Sequence, residues 1–94
     1  NHKGIKIRFW RDPDGPEVDW VIDEAGHYTP VEVKWTDHPT LADVRHVEVF
    51  LSEYPSAKVG YLVCQVPRKM KLSEKITALP WQLIHEIRIG GHDT

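Results

Sequence analysis

Two alternating runs of residues separated by Ala25-Gly26 constrain this chain more than any other feature. From Glu17 to Glu24, Val18, Trp20 and Ile22 fall on one side, and Glu17, Asp19, Val21 and Asp23 on the other. From Tyr28 to Trp35, Val31, Val33 and Trp35 oppose Glu32 and Lys34. A period of two marks half-buried strands, and a two-residue loop at Ala25-Gly26 joins them as a tight hairpin. With that loop residue 24 opposes residue 27, so Asp19 faces Glu32 and Glu17 faces Lys34. A four-residue loop closing on Asp23 and Tyr28 leaves the same couples opposed.

The flanking pattern extends this hairpin into a larger unit. Ile5, Ile7 and Phe9 alternate with Lys6, Arg8 and Trp10, and Asp12-Pro13-Asp14-Gly15-Pro16 supplies a turn, which gives a three-strand meander. Thr40 followed by Asp43 forms a capping-box pattern. Leu41, Val44, Val47, Leu51 and Tyr54 then recur at helical steps, predicting an amphipathic helix of about three to four turns that ends at Pro55. Lys58 to Cys64 is a run without alternation, as expected of a central strand covered on both faces. The strand, helix and strand make a right-handed crossover. Beyond Gln65 the chain reads as irregular through Pro67-Arg68-Lys69-Met70-Lys71. A short strand at Ile76 to Leu79 follows, with a final helical turn opened by Pro80. The expectation is one α/β domain over residues 1–89 with a disordered tail at 90–94.

Ninety-four residues, 40% of them hydrophobic, suffice for one small core. A formal net charge of -2 gives no global attraction to nucleic acid, so any grip on phosphate is local. Cys64 is the single cysteine, which excludes an internal disulfide or a Cys-rich zinc site. No apolar run is long enough to span a membrane, and the polar start lacks a signal-peptide pattern. These features suit a cytoplasmic setting.

Asp19 against Glu32 places like charges directly across a hairpin, a cost of up to about 1 kcal/mol. A divalent cation offsets it, and two carboxylates completed by water and phosphate are what Mg²⁺ or Mn²⁺ prefers. Lys34, two residues along the same face, stands where it can position water or stabilise developing charge. The ordinary reading of such a face is a solvated one, with Lys34 neutralising Glu17 and Glu32. Arg45, Arg68, Lys69 and Lys71 are the weaker candidates for contact with a nucleic-acid backbone, against the ordinary reading of solvated surface. Trp10, Trp20, Trp35 and Trp81 are better read as core than as base-stacking platforms, with Trp20 and Trp35 on the apolar sheet face. The six histidines are scattered and form no zinc-type pair.

Glu17-Val18-Asp19-Trp20, the spacing to Val31-Glu32-Val33-Lys34-Trp35, and the helix and buried strand that follow resemble the core of the PD-(D/E)xK nucleases. Phe9-Trp10-Arg11, Asp14-Gly15, the Thr40 to Phe50 helix and Ala78-Leu79-Pro80-Trp81 extend the likeness over nearly the whole chain. They make it similar to the C-terminal nuclease-like domain of a family of prokaryotic AAA-type ATPases. The resemblance implies a restriction-endonuclease-like mixed sheet and a Mg²⁺- or Mn²⁺-dependent endonuclease acting on DNA. It also implies Asp19 and Glu32 as metal ligands, Lys34 as catalytic lysine and Glu17 as a supporting carboxylate. An ATPase domain is expected ahead of this region in the full-length chain. No Gly-x-x-x-x-Gly-Lys-Ser/Thr occurs within these residues.

The resemblance departs in two places. The nuclease core normally opens with a helix before the first strand, and that helix is absent here. A fragment of a longer protein explains this, or a helix lent by a second copy in a homo-oligomer. RecB-like relatives also carry a glutamine on the crossover helix, where this chain offers Arg45 and His46. Both departures keep open a different class of function, a catalytically inactive interaction or regulatory module of an ATP-binding protein.

Overall fold

The computed structural model describes residues 5–10, as backbone, and residues 18–87. Six strands form one mixed sheet in the order β1-β2-β3-β4-β6-β5. They are β1 (Ile5–Trp10), β2 (Val18–Glu24), β3 (His27–Val33), β4 (Gly60–Cys64), β5 (Met70–Lys71) and β6 (Ile76–Pro80). β1, β2 and β3 are the expected antiparallel meander. β4 lies parallel to both β3 and β6, so the crossover between β3 and β4 is present.

The hairpin register follows from its turn. Ala25 (φ 54°) and Gly26 (φ 88°) both take positive φ, the two-residue geometry whose twist matches that of the flanking strands. Asp23 accepts a 2.9 Å hydrogen bond from the Gly26 N–H. Pairing then runs without a slip from Glu24–His27 to Trp20–Val31.

The crossover helix is shorter than its pattern predicts. Leu41–Val44 form a 3-10 turn, and α1 occupies Arg45–Glu53. Leu41, expected on the apolar face, is exposed because the tighter turn rotates it out of the stripe. Val44, Val47, Phe50 and Leu51 remain inward and pack on Val18, Val21, Leu62, Cys64, Ile76 and Ala78. Helix and sheet approach closely at Gly60, where an added Cβ would meet Val47 Cγ1 at 2.5 Å.

The opposite face carries a second cluster of Val31, Tyr61, Val63 and Leu79. Trp20 and Ile22 pack against it, as do Leu83 and Ile87 from the region of a 3-10 helix at Trp81–Glu86. With both faces covered, β4 is buried along its whole length, as its unbroken apolar run predicts.

Further sequence expectations are corrected, among them Trp81, which is 49% exposed and not core. Val18 does not share a face with Trp20 and Ile22. Arg8 pairs with Val21 but Trp10 with Val18, so β2 holds one residue more than β1 there, and this bulge turns Val18 toward the helix side with Val21. Met70–Lys71, read as irregular, pair with β6 as a short edge strand. Trp35 is not core: β3 ends at Val33, and Trp35 lies beyond it with 66% of its surface exposed, its ring 6.3 Å from that of Trp81. The 90–94 tail lies outside the described residues.

Candidate functional site

Asp19, Glu32 and Lys34 lie along the open end of the β2–β3 hairpin, where Asp19 touches the backbone of Val33 and Lys34 pairs with Asp43. Continuing the register would set Val18 opposite Val33, with its carbonyl receiving the Val33 N–H. The bulge draws that backbone away, and the Asp19 carboxylate substitutes for it: Oδ2 accepts the Val33 N–H at 2.7 Å. Asp19 therefore lies against the peptide joining Glu32 to Val33. Its Oδ2 closes the hairpin, while the side chain as a whole remains exposed.

Glu32 pairs in register with Leu62 of β4 and points to the α1 side. It is half-buried, and its Oε1 is shut away from solvent. Lys34 stands just past the end of β3, where its N–H still donates to the Val63 carbonyl at 2.9 Å and so carries the parallel ladder one step further. Thr36 extends the link, its carbonyl accepting the Gln65 N–H at 2.8 Å. The backbone under Lys34 is thus held by β4 even though no strand is formed there.

The sequence reading missed Asp43. Its Oδ1 lies 3.8 Å from Lys34 Nζ, with the Asp43 side chain 18% exposed and the Lys34 side chain 55%. Its Oδ2 accepts hydrogen bonds from the Thr40 N–H at 2.9 Å and from Thr40 Oγ1 at 3.4 Å, the acidic half of a capping box. The Thr40/Asp43 pattern announced the cap. Only the path of residues 35–40 from β3 to the helix brings its acid back over Lys34.

Glu17, expected opposite Lys34, lies outside the described residues. Arg45 and His46 are exposed at the start of α1. Arg68, Lys69 and Lys71 are exposed as well, but they belong to β5 and the segment before it, with β4 and β6 between β5 and β3. Three strand spacings put β5 about 14 Å from β3. Lys69 pairs with Glu86 at 3.1 Å, and Lys71 Nζ donates to the Glu74 carbonyl at 2.8 Å. Lys69 and Lys71 thus have partners of their own. Cys64 is buried next to this region. Burial pushes its thiol pKa up, a hydrogen bond from Val66 pulls the other way, and the charge of Asp43 adds to the rise.

The carboxylates nearest this end of the hairpin are Asp19, whose Oδ2 is taken by the Val33 N–H, and Glu32, half-buried on β3. Among the described residues no three His, Cys, Asp or Glu side chains converge into a ready cage. A two-carboxylate site suits Mg²⁺ or Mn²⁺, which retain water and take substrate phosphate as further ligands. It does not suit Ca²⁺ or structural Zn²⁺, which ask for fuller protein shells.

A family model for a domain of unknown function, DUF4143, matches residues 1–84. The chain belongs to the DUF4143 family. Neither a curated protein nor a solved structure matches it. The DUF4143 match spans the meander, α1, β4 and β6, so it includes every residue of the candidate site. Among the described residues no helix is long and apolar enough to cross a membrane.

Proposed function

We propose that this DUF4143 domain is a restriction-endonuclease-like domain that hydrolyses DNA phosphodiesters with the help of Mg²⁺ or Mn²⁺. The observation that supports the reading is the Asp19 carboxylate on the Val33 N–H, beside Glu32 and Lys34 at one end of a β-hairpin that leads into a β3-α1-β4 crossover. Asp19 and Glu32 are the metal ligands, and the bound ion supplies a Lewis acid for the scissile phosphate. Lys34 orients the attacking water and stabilises the charge that grows on the phosphate oxygens. Glu17 is a supporting carboxylate. Arg45, at the start of α1, is the nearest of the basic candidates in sequence, whereas Lys69 and Lys71 are engaged by Glu86 and the Glu74 carbonyl and Arg68 follows β4. An AAA-type ATPase domain in the same full-length chain is the expected partner, within a cytoplasmic protein.

The test is Mn²⁺-dependent nicking of supercoiled plasmid by the full-length protein. Wild type converts plasmid to open circles, and Lys34→Ala slows this at least 100-fold without loss of fold. Equal rates in Lys34→Ala and wild type remove Lys34 from catalysis.

A second reading has its own support. The Asp19–Val33 hydrogen bond gives Asp19 a structural reason to be acidic, which fits a module that keeps the architecture and binds a partner beside the ATPase. Thermal unfolding separates the two: a ligand specific to the native state raises the midpoint, so Mn²⁺ stabilises the nuclease and leaves the inactive module unchanged.

A further inference from the structure

We propose that Asp43 is the positioning residue for Lys34, tying the entry of the crossover helix to the candidate site. The consequence for catalysis rests on the nuclease reading; the hold on the lysine does not. Lys34 has an exposed ammonium on a long stem, and such a chain loses much rotamer freedom when it is fixed in one place. A group meant to meet a phosphate at a set distance therefore needs something to fix it. Asp43 is placed to do so because its two oxygens are divided. Oδ2 is anchored by the Thr40 N–H and hydroxyl, which orients the carboxylate and leaves Oδ1 facing Lys34 Nζ at 3.8 Å.

The two partners are also fixed from below. The Asp43 N–H donates to the Thr40 carbonyl at 3.0 Å, and the Lys34 N–H donates to Val63 at 2.9 Å. Both backbones are pinned, so the freedom left between them is that of the side chains. The low exposure of Asp43 shields the pair from salt more than an open surface pair, although the exposed Lys34 end keeps the attraction modest. Asp43 touches no substrate in this scheme. It acts through Lys34 and sets where the ammonium points.

The experiment is NMR of the metal-free protein with ¹³C-labelled lysine, the Lys34 ε-methylene being assigned by its loss in Lys34→Arg. In wild type that methylene is displaced from the common position of exposed lysines and shows cross-peaks to the Thr40–Asp43 turn. Asp43→Asn keeps an oxygen for the Thr40 N–H but removes the charge, so the signal moves to the common position while the thermal midpoint stays within a few degrees. A Lys34 signal already at the common position in wild type, or unmoved in Asp43→Asn, overturns the proposal whether or not the protein cuts DNA. Plasmid nicking supplies the catalytic arm: Asp43→Asn lowers kcat at least tenfold with KM for DNA unchanged, and Asp43→Glu recovers part of the loss. A wild type that does not nick sinks the nuclease reading and leaves the NMR result to decide the hold on Lys34. An active wild type with Asp43→Asn equal to it overturns the positioning role.

Discussion

At the turn end of the β2–β3 hairpin, backbone pairs with backbone through five successive couples, from Glu24–His27 to Trp20–Val31, whereas at the open end a side chain, Asp19, takes over the ladder. The turn end is built from local chemistry, with positive φ at Ala25 and Gly26 and an Asp23 carboxylate on the Gly26 N–H. The open end depends on a bulge against β1, a parallel neighbour and a helix entry that are remote in sequence. Regular pairing makes a platform. The polar residues with chemistry to offer gather where that regularity stops, which is where bulges commonly re-aim side chains.

The contrast can be broken from either side. The largest effect is expected at Gly60, in the regular part of the sheet, where α1 meets β4. Its absent Cβ leaves room for Val47 Cγ1 at 2.5 Å and Pro30 Cγ at 3.4 Å, so Gly60→Ala forces overpacking that costs about 1–3 kcal/mol. Denaturant unfolding measures it, and a loss near zero would mean that α1 rides looser on the sheet. Gly26→Ala at the turn end follows. Nothing lies within 4 Å of the added methyl, so backbone strain at φ 88° alone sets a cost of about 1–2 kcal/mol.

At the open end, Asp19→Ala removes the acceptor of the Val33 N–H and is expected to cost about 1 kcal/mol in metal-free protein, since water can reach that exposed donor. Lys34→Ala, which breaks only a partly exposed ion pair, stays within about 1 kcal/mol. Unfolding curves for the two variants sharpen the comparison. A loss near zero in Asp19→Ala would show that Asp19 does not hold the hairpin shut.

The parts of the fold governed by short-range rules were legible in the sequence. Alternation and a two-residue turn place β2 and β3 in register, the helical spacing of Val44, Val47 and Leu51 finds the inward face of α1, and the unbroken run ending at Cys64 marks a strand covered on both sides. What was missed depends on remote neighbours. Strict alternation puts Val18 beside Trp20, and only the register of β1 reveals the extra residue that turns it away. Trp35 reads as the next inward position of β3, yet the strand has ended two residues earlier. At the hairpin's open end, the positions of Asp19, Glu32 and Lys34 along the chain followed from its register. Asp43 did not, because its place over Lys34 is set by the path of residues 35–40 and not by any spacing along one element. Of the basic residues read as a cluster for phosphate, Lys71 lies on the edge strand β5, and Lys69 and Lys71 are already engaged with Glu86 and the Glu74 carbonyl.

Whether Asp19 can close the hairpin with one oxygen and hold a cation with the other is most directly tested by electron paramagnetic resonance of Mn²⁺ titrated into the protein. One ion is expected to bind per chain, to persist in Lys34→Ala and to be lost in Glu32→Gln and Asp19→Ala. Free Mn²⁺ signal rising from the first addition in wild type, or binding unchanged in both carboxylate variants, would contradict a metal site at this end of the sheet.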